Sequence, residues 1–323
     1  MMRLDQIADH ARRYRSEALP FDVGVGVDRS LTWVCPTLVP LYYTPAWGAL
    51  DEADRLRCTQ LAALSTNEMI AWFEAGLSAA LLALLRVRGR RALPAELGAL
   101  LVTFVEDEAR HQRMWWTLNR LAEPARYPRD RMSVTRLSPL TGWLMRLMAG
   151  RPMRFPAVVW AMLFLEEHGN EIARRCARAD GVAGPVEPHF AAAYLAHVRD
   201  ETRHVHLDQH LLAWLWPRAT PRLRAANAWL VARVLDRLVY RPRRAAVSVF
   251  DALARERPHL RPLRGRVVGE LGALHASPAY REMIFSPRSS PLAWGAIERC
   301  PEVLAALTSA GIVATPRASG VPA

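Results

Sequence analysis

An all-α fold is predicted by three observations. Apolar residues recur at spacings of three and four from about residue 51 onward, glycine and proline punctuate the chain at helix-length intervals, and no credible run of alternating residues reads as a strand. The elements follow in order. Residues 1–50 read as an irregular, proline-punctuated segment packed on the core, with one short helix near residues 4–17. Helical periodicity runs from 56 to 85 and breaks at RVRGRRALP, residues 86–94. A second helix spans about 95–121. After a polar connection at 122–137 and a short apolar helix near 140–148, a third begins after Pro156 and runs to about residue 179, where Gly181, Gly184 and Pro185 stop it. The fourth covers about 188–216 and ends at Pro217. Further helices fill roughly 220–240, 242–257, 262–275 and 298–310. Two parts are expected: the leading segment 1–50 and a single helical domain 51–323, with a bundle at about 51–216 and accessory helices at 217–323.

The 323 residues are 51% hydrophobic and 23% charged, a globular composition that excludes disordered, collagenous and coiled-coil classes. The longest uncharged stretch, residues 30–50, is interrupted by Pro36, Pro40 and Pro45, so no membrane span is expected there. The N-terminus carries Asp5, Asp9, Arg12 and Arg13 and reads as no secretory signal. Formal net charge is +12, and all 43 basic residues are arginine. Exclusion of lysine with heavy use of Ala, Leu, Arg and Pro matches the codon bias of a GC-rich genome. The arginines are scattered and no nucleic-acid-binding motif is present, so no nucleic-acid partner is expected. Cys35, Cys58, Cys176 and Cys300 are too few and too far apart for a disulfide framework or a zinc cluster, which points to a reducing cytoplasm.

The most informative feature is an internal repeat. Residues 105–111 read Val-Glu-Asp-Glu-Ala-Arg-His and residues 198–204 read Val-Arg-Asp-Glu-Thr-Arg-His, an offset of 93. The same offset pairs Glu74 in the first helix with Glu167 in the third, each 34 residues before the Glu of a Glu-x-x-His. Antiparallel hairpins centred near residues 91 and 184 bring Glu74 level with Glu108, and Glu167 level with Glu201. Glu and His three apart project from one helical face, so each Glu-x-x-His offers a carboxylate and an imidazole to one metal ion. Four helices contributing Glu, Glu-x-x-His, Glu and Glu-x-x-His are the pattern of carboxylate-bridged di-iron or di-manganese sites in ferritin-like four-helix bundles. Two divalent cations would also compensate carboxylates embedded in such apolar surroundings as Ile70, Trp72, Phe73 and Leu77.

Neighbouring acids compete for these roles. The repeat favours Glu74 and Glu167 over Glu68, Glu166 and Glu171, with Glu166 the competitor that remains. His197, four before Glu201 and seven before His204, shares their stripe and has Phe104 as its first-half counterpart. It is expected as a seventh protein ligand, on the metal that His204 binds. His206 and His210 lie off the stripe. Asp107 and Asp200 suit acceptance of the other N–H of a ligand histidine across the helix pair, and Arg110 and Arg203 can neutralise those aspartates. His168 and Tyr194 are candidates to line the site.

At these residues the sequence resembles the di-iron N-oxygenases of the para-aminobenzoate N-oxygenase (AurF-like) family. The likeness rests on the two Asp-Glu-x-Arg-His motifs, on His197 ahead of the second, and on a proline-rich segment at 39–47 followed by Leu50-Asp51-Glu52, and it covers roughly residues 35–215. It implies the ligand set Glu74, Glu108, His111, Glu167, His197, Glu201 and His204 around two iron ions, with manganese as the alternative metal. Glu108 and Glu201 would bridge, and Glu74 with His111 and Glu167 with His197 and His204 would be terminal. O₂ would be co-substrate, an external electron donor the partner, and an arylamine the substrate, taken to a hydroxylamine, nitroso or nitro product. It also implies a cytoplasmic enzyme of natural product biosynthesis, with a homodimer as the candidate assembly. The rival activities are C–H hydroxylation, desaturation and ferroxidase or other metal-binding functions on the same ligands.

Overall fold

The computed structural model describes residues 1–14, 17–177, 184–240 and 243–313. The described residues are 74% helical, with no strand among them; Thr32 and Val186 form an isolated parallel bridge. The α-helices are α1 (Leu4–Tyr14), α2 (Pro45–Gly48), α3 (Glu52–Leu85), α4 (Ala95–Ala122), α5 (Pro139–Ala149), α6 (Ala157–Ala177) and α7 (Pro188–Leu215). They continue with α8 (Pro221–Val234), α9 (Arg243–Glu256), α10 (Arg264–Ala273), α11 (Pro278–Ile284), α12 (Pro291–Glu298) and α13 (Pro301–Ser309). The predicted stop at Gly181 and the helix end near residue 179 lie outside the described residues.

Local chemistry starts the long helices. The Asp51 side chain caps α3 by accepting from the Asp54 amide at 2.7 Å, and Glu187 accepts from the amides of His189 and Phe190 ahead of Pro188 in α7. Short connections fold α3 against α4 and α6 against α7, and the two hairpins meet through α4–α7 and α3–α6 contacts. The leading segment is more ordered than an irregular strap: α1 lies on α4 and α7, and Trp33 stacks on Phe190 with ring centroids 5.0 Å apart. Helices α11 and α12 have no counterpart in the sequence reading. At seven and eight residues they are shorter than the window over which helical periodicity declares itself. All four cysteines are buried.

Two hydrophobic clusters share the long helices. Leu101 and Phe104 of α4 and Val205 of α7 belong to one, and Met114 of α4 and Tyr194 of α7 belong to the other. The acidic and histidine residues of the repeat fall between them. Helix α3 is long and apolar enough to cross a membrane by length and composition, yet it buries Glu68 and Glu74 within the bundle.

Glu68, one of the competing acids, serves the fold. Fully buried, it accepts from the Tyr127 hydroxyl at 2.7 Å and from the amides of Ser133, Val134 and Thr135 at 2.6, 2.9 and 2.7 Å. It therefore pins the connection between α4 and α5. Glu68→Ala leaves three amides and a phenol without acceptors and is expected to destabilise the protein by roughly 3–5 kcal/mol, read as a lower melting temperature with iron per folded chain unchanged. Loss of iron without loss of stability would overturn this assignment.

Candidate metal centre

Seven side chains from four helices converge between the two hydrophobic clusters, none more than 5% exposed: Glu74, Glu108, His111, Glu166, His197, Glu201 and His204. Their donor atoms form two groups. Glu74, His111, His197 and Glu201 lie within 4.8 Å of one another, and so do Glu108, Glu166, Glu201 and His204. Glu201 belongs to both. Its Oε1 is 3.0 Å from His197 Nε2, 3.4 Å from His111 Nδ1 and 3.4 Å from His204 Nδ1. Glu108 Oε1 is 3.2 Å from His204 Nδ1 and 3.9 Å from His111 Nδ1.

Three expectations need correction. Glu108, expected to bridge as Glu201 does, falls in one donor group only. Glu166, and not Glu167, supplies the α6 carboxylate, with Oε2 3.9 Å from His204 Nδ1. Glu167 turns away and accepts from the amides of Leu292 and Ala293, at 2.8 and 2.7 Å, in the first turn of α12. One residue along a helix is about 100° of rotation, so adjacent carboxylates cannot both face the centre. His197 joins Glu74 and His111, with its Nε2 3.1 Å from Glu74 Oε1, and not the group of His204. Seven residues of helix place His197 and His204 about 10 Å apart along the axis, one on each side of Glu201.

The other residues singled out by sequence are placed as follows. Asp200 of α7 meets His111 Nε2 of α4 at 3.0 Å, and Asp107 of α4 meets His204 Nε2 of α7 at 3.4 Å. This exchange turns each Nδ1 toward the centre. Arg110 donates to Asp107 at 2.9 Å and Asp200 at 2.6 Å, and Arg203 donates to the same two aspartates. His206 pairs with Gln209, His210 with the Met2 carbonyl, and Glu171 with Arg174 and Arg175. His168 lines the adjoining cavity. The Tyr194 ring lies 5.8 Å from Trp115, and Trp115 donates to Glu74 Oε1 at 3.3 Å. The Trp115 contact joins residues 41 apart in sequence and needed the fold to be seen. Phe104 stacks on His204 at 3.7 Å between centroids. Gly169 of α6 faces the His197 ring, with 3.4 Å from the place of a Cβ to His197 Cε1, an ordinary contact distance.

Electrostatics mark this as a place for cations. Burial and the Glu74 and Glu201 charges push Glu108 up to about 8. Burial opposes protonation of His111, but Asp200 and Glu74 outweigh it and raise the imidazole to about 10. Burial and the His111 charge draw His197 down to about 4. Asp107 and Asp200 are held well below the usual carboxylate range, where His204, His111 and Arg203 overcome the cost of burial. Both oxygens of Glu108 and Glu201, one oxygen each of Glu74 and Glu166, and Nδ1 of His111 and His204 are buried without a hydrogen-bond partner. Such groups call for compensation. Four carboxylates match the charge of two divalent cations, and oxygen with imidazole donors suits iron or manganese.

A helical bundle with these two buried donor groups around a shared carboxylate defines the dinuclear carboxylate class of ferritin-like proteins. Within that class, the sequence model of the p-aminobenzoate N-oxygenase AurF family matches residues 23–269, and the chain belongs to that family. Membership implies an oxygenase, and the family is a di-iron one. No curated protein shows significant sequence similarity to the chain.

Proposed function

We propose that the protein is a di-iron N-oxygenase that inserts one oxygen atom of O₂ into the amino group of a small arylamine. The observation that carries this reading is a cavity of about 220 Å³ that ends on Glu74, Glu166 and His197, and so reaches both donor groups. Its walls include Met69, Ile70 and Phe73 of α3, Ile172 of α6, Val249 of α9 and Ile284 of α11. Such a space suits a compact aromatic ring better than an extended acyl chain.

Glu74, His111, His197 and Glu201 would hold one iron, and Glu108, Glu166, Glu201 and His204 the other. When bound, the irons would relay electrons to O₂ and offer open coordination positions for it. The protein's share is positional. Asp107 and Asp200 fix the tautomer and direction of two imidazoles, Trp115 steadies the Glu74 carboxylate, and the apolar walls exclude water while turning the amino nitrogen toward the centre. Hydroxylamine formation uses one O₂, two electrons and two protons per amine: one oxygen goes to nitrogen and the other leaves as water. The electrons come from an external donor.

The test is anaerobic loading with Fe(II), exposure to O₂ with a reductant, and mass spectrometry over a panel of arylamines and fatty-acyl carriers. The expected product is an arylamine gaining one oxygen on nitrogen. Hydroxylated or desaturated carbon with no nitrogen product would replace this reading with C–H oxidation.

A further inference from the structure

We propose that helix α5 and its flanks are the docking face for an acidic electron-carrier protein; the assignment rests on the di-iron reading above, which needs external electrons. Leu140, Trp143 and Leu144 share one face of this helix and are 62%, 52% and 37% exposed. Large apolar side chains gathered on one exposed face mark an interaction surface. From residue 131 to residue 165 the chain holds five arginines and no aspartate or glutamate. Arg131, Arg136, Arg146, Arg151 and Arg154 are all exposed. None of the five has an ion-pair partner among the described residues, whereas Arg120, Arg126, Arg174 and Arg175 on either side of the segment are paired. Charge this one-sided selects an acidic partner, and tryptophan with arginine is the composition of an interface centre.

Position favours an electron carrier among acidic partners. Helix α5 packs on α3 and α6. On α3 it meets Gly76, where the place of a Cβ is 3.0 Å from Met145 Cγ, closer than ordinary contact, so glycine admits the Met145 side chain. Gly76 and Glu74 are two residues apart, about 200° of rotation, and so point to opposite sides of α3. Glu74 belongs to one of the two donor groups. A single helix therefore stands between the inner side of α5 and a metal position. A second copy of the chain suits this face poorly, because a two-fold interface would bring arginine to arginine. A lipid surface would use the same charge but gains nothing from nearness to the metals.

The test is stopped-flow reduction of the iron-loaded, oxidised full chain without O₂. The reductants are an acidic two-iron ferredoxin, an acidic flavodoxin and neutral reduced phenazine methosulfate. At least one of the two proteins should reduce the wild type, at a rate that falls as salt is raised. Arg146→Glu combined with Arg151→Glu should slow that protein by about tenfold or more at low salt and leave the rate with the small reductant unchanged. A wild type that the small reductant reduces and neither protein does overturns the docking face and leaves the di-iron reading standing. Equal carrier rates in the wild type and a folded, iron-loaded double variant do the same. Two readouts on that variant then reassign the face: lost binding to phosphatidylglycerol vesicles gives it to a lipid surface, and a lost dimer gives it to a second copy. A chain that takes up no iron overturns the oxygenase reading and the docking face together.

Discussion

Glu201→Ala is expected to strip both irons from the protein. Its carboxylate stands within 3.4 Å of a nitrogen on each of His111, His197 and His204 and belongs to both donor groups. Removing it takes one negative charge and one donor from each metal position at once. Loss of even an outer hydrogen-bond partner weakens metal binding roughly 10- to 100-fold, so loss of a shared ligand should exceed that. Glu108→Ala and Glu74→Ala, each confined to one donor group, should retain more iron than Glu201→Ala does. The measurement is iron per folded chain, alongside helical content by circular dichroism. Two irons retained by Glu201→Ala would refute the shared-carboxylate assignment.

The adjacent pair Glu166 and Glu167 should give opposite phenotypes. Glu166→Ala removes the α6 donor beside His204, so oxygen activation and iron at that position should be lost while the melting temperature of the apoprotein holds or rises, because one uncompensated buried charge is gone. Glu167→Ala leaves the donor groups whole but frees the Leu292 and Ala293 amides. The cost is about 1–3 kcal/mol for unsatisfied buried donors, seen as thermal destabilisation with iron content kept. Melting curves and iron analysis on the two variants separate the roles, and the reverse pattern would restore Glu167 to the site.

The contrast with His197 is instructive. Its presence on the stripe of Glu201 and His204 was readable from spacing, because helical periodicity states which residues share a face. Which metal position it serves was not, since a stripe two turns long runs past both positions and only the placement of α3 and α4 beside α7 puts Glu74 and His111 opposite it. His168 shows the same boundary: sequence could name it as a candidate, and only the cavity formed with α3, α9 and α11 gives it something to face.

By itself the sequence determined the helical class, the long helices and the 93-residue repeat. It also carried the two Glu-x-x-His motifs with Glu74, and the aspartates and arginines around them. These are local properties, written in the period of one helix and its internal duplication. Tertiary structure decided the partition of ligands between two metal positions, the wall of the cavity, and the choice of Glu166 over Glu167. That choice turned on α12, a helix of eight residues whose first amides reach Glu167 from 125 and 126 residues away in sequence. An alignment of the two halves assumes that both helix pairs face the centre in the same register. A slip of one residue costs the repeat nothing, but it rotates the inward side chain by about 100°, and the packing of α6 against a C-terminal helix with no counterpart in the first half set which carboxylate points in.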